Sequence, residues 1–223
     1  MQRIPEPELM TTQEQVDAYA NADFSSGDSR TVALVEQLLD ETGPLPKDPL
    51  IVDLGCGPGN ITIRLAELLP NAQVIGIDGS EPMLAVAKQR SIRTSNNLKF
   101  INLQLHDIEV ELKDLADLVV SNSVLHHLKK PDLLWSVTQS IAKPGCRVLH
   151  RDLRRPTSLA EVHRLQQQHL PKAPSVVIPD FTASLVAAYT TNEVNQQLRR
   201  AERNRAKARS EDDRYLVVSG LVG

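Results

Sequence analysis

Val52–Asn60, VDLGCGPGN, is the segment from which the rest of the chain can be organised. A short apolar run rich in β-branched residues, Leu50–Leu54 (LIVDL), leads into three alternating glycines, Gly55, Gly57 and Gly59. A helical pattern over Ile61–Leu69 follows. Glycine reaches positive φ without a Cβ clash and lets a ligand approach the backbone closely. The turn of such a strand–turn–helix unit lies at the carboxyl end of its strand, where doubly wound sheets hold ligands. Without a ligand the segment would be only a tight turn, and three glycines cost more backbone entropy than a turn requires.

The next acid strengthens the ligand interpretation. Gln73–Ile77 (QVIGI) forms a second buried apolar run and ends on Asp78. A carboxylate roughly 20 residues beyond a glycine turn is placed to take both hydroxyls of a ribose. An adenosine-containing ligand follows from the pair. The dinucleotide fingerprint G-x-G-x-x-G fails here, because Asn60 stands at its third glycine position. The phosphate-binding pattern G-x-x-x-x-G-K-[ST] is absent. Neither a pyrophosphate nor a triphosphate is well provided for.

Working outward, strands alternate with helical stretches. Pro82–Arg90 is helical, Leu98–Leu105 alternates as a third strand, and Leu115–Val120 reads as a fourth. Pro131–Ala142 is helical and Cys146–His150 with its flanks forms a fifth strand. This alternation implies parallel crossovers and a doubly wound sheet. Upstream, Thr31–Leu39 has helical spacing and the breaker cluster Thr42–Pro49 closes it. Downstream, Ser158–Leu170 and Asn192–Ala208 are polar helices, and Tyr215–Val218 is a strand. Asn204–Ser210 fits two roles equally, the tail of the preceding helix or a hairpin partner of Tyr215–Val218.

Composition sets outer bounds. A chain of 223 residues with 41% apolar and 24% charged residues fits one globular domain and excludes wholesale disorder. The net charge of −3 gives no sign of a strongly basic nucleic-acid clamp. Three Phe, three Tyr and one Trp are too few for a broad base-stacking groove. Cys56 and Cys146 cannot build a multi-bridge framework and read as reduced thiols, so a cytoplasmic location is expected. The start, MQRIPEPELM, has no apolar signal region, and no run approaches the ~20 apolar residues of a membrane span.

VDLGCGPGN, GIDGSEPML, LHDIE, LVVSNSVLHHL and KPGCRVL stand in this order over about residues 45–155, and YLVVSG near the end extends the series. Together they resemble the class I S-adenosylmethionine-dependent methyltransferase family in its small bacterial form. DLRRP and DFTASLVAAYTTNEV add a looser similarity to small-molecule methyltransferases. The resemblance implies an α/β, Rossmann-like, seven-stranded, mostly parallel sheet with helices on both faces and a helical N-terminal lid. It implies one domain over 1–223: a cap at 1–45, a cofactor core at 46–155, and substrate-side helices with a terminal strand at 156–223. The cofactor is then S-adenosylmethionine, with S-adenosylhomocysteine as product.

Residue by residue, the resemblance assigns Asp53, Gly55, Cys56, Gly57 and Gly59 to the methionine moiety. It assigns Asp78 to the ribose, and Gly79 and Met83 to the adenine. Asp107 corresponds to the acid that receives the adenine amino group, flanked by His106 and Ile108. Ser121 and Asn122 correspond to the segment facing the methionine amino group and the acceptor. The polar Asn204–Ser210 departs from the family pattern, which has a more apolar sixth strand there.

Methyl transfer from a sulfonium is an in-line displacement, so proximity, orientation and exclusion of water carry most of it. A base matters only where the nucleophile must lose a proton. His126 and His127, after the fourth strand, are candidates; they project about 100° apart on a helix, so at most one faces the site. The alternative is that both pack or cap structure. Asp152 could orient a substrate or could pair with Arg154 or Arg155. No metal site is expected: a clear carboxylate cluster is missing, and His163 and His169 sit on different helix faces. Ser121-Asn122-Ser123-Val124 differs from the N-P-P-[YF] type of sequence used on nucleic-acid bases.

The segment Gln13–Phe24 is expected to lie over the cleft. Tyr19, Phe24, Phe181 and Tyr189 either line the acceptor pocket or fill core. The basic residues around Arg151–Arg155 and along Arg199–Arg209 are expected to be solvated or locally paired. The leading expectation is methyl transfer to a small-molecule acceptor on oxygen, nitrogen or carbon, with no nucleic-acid or membrane partner. An RNA or protein methyltransferase would instead need one continuous basic face, and a non-catalytic cofactor binder would have a closed acceptor pocket.

Overall fold

Leu50–Leu54 (β1), Gln73–Asp78 (β2), Leu98–Asn102 (β3), Ala116–Asn122 (β4) and Ala142–Leu153 (β5) pair in parallel. Ala206–Ser210 (β6) and Tyr215–Leu221 (β7) form an antiparallel hairpin, and β7 runs antiparallel to β5. The order across the sheet is β3-β2-β1-β4-β5-β7-β6. The computed structural model describes residues 1–6, 16, 19–20, 22–94, 97–108, 112–171, 177–202 and 205–222. Among the described residues the helices are Ser25–Thr42 (α1), Asn60–Leu68 (α2), Glu81–Arg90 (α3), Asp132–Ile141 (α4), Leu159–His169 (α5), Val177–Ala187 (α6) and Thr191–Arg200 (α7). None is long and apolar enough to cross a membrane.

Alternation along the strands feeds two apolar layers. Val52 and Leu54 join Leu134, Trp135 and Ile141 of α4 and Leu198 of α7 on one face. Ile51, Val74 and Val120 join Leu34 and Leu38 of α1 and Leu65 of α2 on the other. Each buried aliphatic side chain is worth about 1.5–3 kcal/mol, and this double burial explains the near-continuous apolar runs of β1 and β4. A third cluster joins Leu153, the last residue of β5, to α5 and α6, with the partly buried Phe181 packed against it. Tyr189 also serves the core and donates its hydroxyl proton to Leu128 O at 3.0 Å.

Asn204 lies outside the described residues; for the rest of the Asn204–Ser210 segment the structure decides between helix tail and hairpin. α7 stops at Arg200, and β6 is an edge strand. Ala206 and Ala208 face inward while Lys207 and Arg209 face solvent, so a half-exposed edge accounts for the polarity. Asn195 of α7 pins it by bonding both the N–H and C=O of Ala208. The fifth strand also begins at Ala142, earlier than the sequence pattern suggests, with a register irregularity between Ala116 and Leu118. The third ends at Asn102 and passes into a 3₁₀ turn, Leu105–Asp107.

Candidate functional site

The glycine loop leaves β1 at the point where the strand order reverses, between β2 and β4. Gly55 has φ +67°, and a Cβ there would run into Val124 Cγ2. Gly57 has φ +52° and opens onto empty space. Gly55 N–H and Cys56 N–H both donate to Ile77 O, at 2.8 and 3.0 Å. Gly57 N–H donates to Asp78 Oδ2 at 2.8 Å, and Gly59 N–H to Cys56 O at 3.0 Å. Pro58 has no N–H. The loop amides are therefore turned inward, unlike a phosphate cradle, where they point at the anion.

A cleft of about 200 Å³ opens at the carboxyl ends of β1, β2 and β4. It brings together Gly55, Gly57, Asp78, Gly79, Met83, His106, Asn122 and His127. Tyr19 closes one side, and Leu103, Leu105 and Leu133 supply apolar wall. A smaller cavity of about 40 Å³ adjoins the loop and collects Asp28, Asp53, Cys56 and Asn60 beside Tyr19 and Phe24. Of the lid segment, residues 13–15, 17–18 and 21 lie outside the described residues. The Tyr19 and Phe24 rings pack 4.7 Å apart.

Four residues assigned to the cofactor line neither cavity. Gly59 caps α2 with φ +80°, and its Cα faces Ala87 and Phe100. Asp107 points outward with its side chain 55% exposed. Ile108, one residue on, is fully buried in the core because the short 3₁₀ turn rotates it inward. Ser121 is buried and bonds His150 Nδ1 at 2.8 Å. Burial holds the His150 imidazole down to about 4, so it is a neutral core group.

Two buried carboxylates, Asp28 and Asp53, and the half-buried Asp78 surround the two cavities. Burial pushes Asp53 up to about 7, against the hydrogen bond from Thr62 Oγ1 at 2.6 Å and with help from Asp78 and Asp28. Burial also raises Asp78 and Asp28. A cationic ligand relieves such a cluster and a polyphosphate aggravates it. The raised Asp53 fixes the sign of a stability effect. The folded state holds this proton more tightly than the unfolded chain, so stability falls as pH rises from the ordinary carboxylate range through about 7. Asp53→Asn, which keeps an acceptor for Thr62, is expected to gain on wild type across pH 5 to 7 and hold that gain above it. Urea titrations at several pH values measure this; parallel curves would contradict it.

The structure separates the two histidines. His126 is 2% exposed, with Nδ1 2.6 Å from Asp152 Oδ1 and Nε2 3.4 Å from Glu6 Oε1. Burial alone would lower its affinity for a proton, but Asp152 and Glu6 lift it above its ordinary range. His127 lines the cleft, with Nδ1 3.1 Å from Glu6 Oε1. Asp152 is itself buried, accepts Leu125 N–H at 2.7 Å, and so braces the turn instead of facing the cleft. It pairs with neither arginine. Arg154 donates to Asp213 O at 2.8 Å, and Arg155 to Ala188 O at 2.8 Å and Glu193 Oε1 at 2.6 Å. Arg151, also buried, stacks 3.6 Å over Tyr215 and lies 3.5 Å from Glu211.

Glu6, His126 and His127 bring three ligand-type atoms within 4.8 Å of one another. Their rings, however, are stacked 4.1 Å apart and tilted by only 35°. One carboxylate oxygen thus lies within 3.4 Å of a ring nitrogen of each histidine. Glu6 had no sequence signal, because it sits in a polar stretch 120 residues before the turn it meets.

Residues 47–207 match the model of a family described as a methyltransferase domain. The chain is 32% identical over 182 residues to trans-aconitate 2-methyltransferase of Methylobacterium nodulans, covering 80% of this chain and 60% of that one. It is 42% identical over 79 residues to malonyl-acyl-carrier-protein O-methyltransferase of Bacillus cytotoxicus, covering 35% of this chain and 26% of that one. The chain thus spans less than two thirds of the length of these curated relatives. The plantazolicin methyltransferase BamL, crystallised with a triazolic desmethylPZN analog and SAH, has the same fold. Its TM-score is 0.74 at 15% identity, over 94% of this chain and 91% of that one.

Proposed function

The chain belongs to the methyltransferase-domain family, in its class I S-adenosylmethionine-dependent form, and from that premise we propose that it transfers a methyl group from S-adenosylmethionine to a small-molecule acceptor, leaving S-adenosylhomocysteine. The observation that carries this is the set Asp28, Asp53 and Asp78 around a cleft whose glycine loop turns its amides inward. That chemistry suits a ligand with cationic centres and no phosphate. The relatives' names, which include trans-aconitate and malonyl-carrier methyltransferases, support an acceptor of modest size.

S-adenosylmethionine, when bound, supplies a methyl group already activated on a sulfonium. The protein's part is to bind, orient and exclude water. Asp53, Cys56 and the glycine loop, with Asp28 opposite, take the methionine end. Asp78 takes the ribose hydroxyls. Gly79, Met83 and His106 take the adenine end, with Asp107 and Ile108 shaping the turn that presents His106. Asn122, held on β4 next to Ser121, marks the border with the acceptor. His127 faces the acceptor and removes its proton where one must leave, while His126 and Asp152 hold the turn.

A labelling experiment tests the acceptor class. Protein incubated with methyl-tritiated S-adenosylmethionine and a low-mass fraction of cell extract is expected to place label in a small product. Label confined to RNA or protein, when whole extract is supplied, would overturn the small-molecule assignment.

A further inference from the structure

The first residues cross the His126–His127 turn and are anchored there. Arg3 stacks 4.1 Å over the Tyr189 ring and donates through its guanidinium to His126 O at 2.9 Å and Leu128 O at 3.0 Å. Ile4 N–H donates to Val186 O at 3.3 Å. Glu6 then follows, its Oε2 accepting from Ser184 Oγ at 3.2 Å. Its Oε1 is buried and takes no well-aligned hydrogen bond, although it lies 3.1 Å from His127 Nδ1 and 3.4 Å from His126 Nε2. A buried carboxylate oxygen left like this is costly unless a neighbour donates to it or becomes charged. Catalytic hydrogen bonds are often loose before substrate binds and tighten afterwards.

We propose that Glu6 is a positioning residue that accepts the Nδ1 proton of His127, holds that imidazole in the tautomer with a basic Nε2, and balances its charge once protonated. The proposal rests on the methyl-transfer function above and narrows it. An imidazole oriented by a carboxylate serves a nucleophile that carries a proton at neutral pH, as the base of a triad does. A carboxylate acceptor is already ionised and needs no base. The acceptor is therefore a group that must shed a proton, such as a hydroxyl, a thiol or an ammonium nitrogen. As its nucleophilic atom bonds the methyl carbon and the sulfonium carbon–sulfur bond breaks, its proton passes to His127 Nε2 and then to solvent.

Among the described residues, the groups facing His127 include Glu6, the stacked His126 with Asp152 behind it, and Asp78 across the cleft. The test is the tautomer of His127, read from ¹⁵N shifts in histidine-labelled protein at alkaline pH and assigned with His127→Asn. Wild type is expected to be mainly Nδ1-protonated. Glu6→Gln is expected to move the tautomer ratio roughly tenfold toward Nε2–H, the size of one charged hydrogen bond. Glu6→Asp should restore part of it. A ratio unchanged by Glu6→Gln in folded protein would overturn the proposal. Should that variant not fold, an Nε2-protonated His127 in wild type would overturn it equally. So would an acceptor methylated on a carboxylate at a rate indifferent to Glu6→Gln. S-adenosylhomocysteine binding in the same samples keeps the two claims apart: its absence sinks the methyl-transfer function and leaves the tautomer result standing.

Discussion

Replacing Asp152 with alanine is expected to cost about 3–5 kcal/mol of folding stability, the usual penalty for breaking a buried ionic pair from one side. The residue is 2% exposed and accepts two short hydrogen bonds, from Leu125 N–H at 2.7 Å and from His126 Nδ1 at 2.6 Å. Alanine leaves both donors buried without a partner, and the methyl group cannot fill the space. His126 then keeps only the looser 3.4 Å contact with Glu6, so its affinity for a proton falls. The turn carrying His127 loosens with it. Urea unfolding at neutral pH measures the loss, with Arg154→Ala as a control expected within about 1 kcal/mol because its side chain bonds only loop carbonyls. A loss below about 1 kcal/mol for Asp152→Ala would mean that the turn is held by Arg3 and backbone contacts alone.

Much of the sheet could be read from the chain because β1, β2 and β4 are buried on both faces, which leaves apolar runs bounded by glycine and acid. The glycine loop was legible for a stereochemical reason: Gly55 and Gly57 adopt φ values that side chains resist. Asp78 was legible because it ends a strand next to that loop. What the sequence hid was direction. Whether His126 or His127 meets the cleft depends on a three-residue 3₁₀ turn, Leu125–His127, and on a carboxylate 26 residues downstream that fixes it. Asp152 looked like a rim residue because it stands at the end of the fifth strand, yet it is buried and bonds Leu125 N–H and His126. Asp107 ends, and Ile108 follows, a turn whose phase no local pattern set. Glu6 reaches the site only through tertiary folding.

Asp78→Ala is the second large effect and bears on the whole account. The Asp78 carboxylate accepts Gly57 N–H and Ser80 N–H, both at 2.8 Å, while it lines the cleft. Alanine removes the ribose partner and frees a loop amide from its only inward acceptor. Losing charged hydrogen bonds of this kind costs about 100-fold or more in affinity. Isothermal titration of S-adenosylhomocysteine into wild type and Asp78→Ala, with both proteins shown to be folded, is the most direct measurement. The account predicts one site per chain in wild type and binding at least about 100-fold weaker in the variant. No heat with wild type at millimolar ligand, or equal affinity in the two proteins, would contradict it.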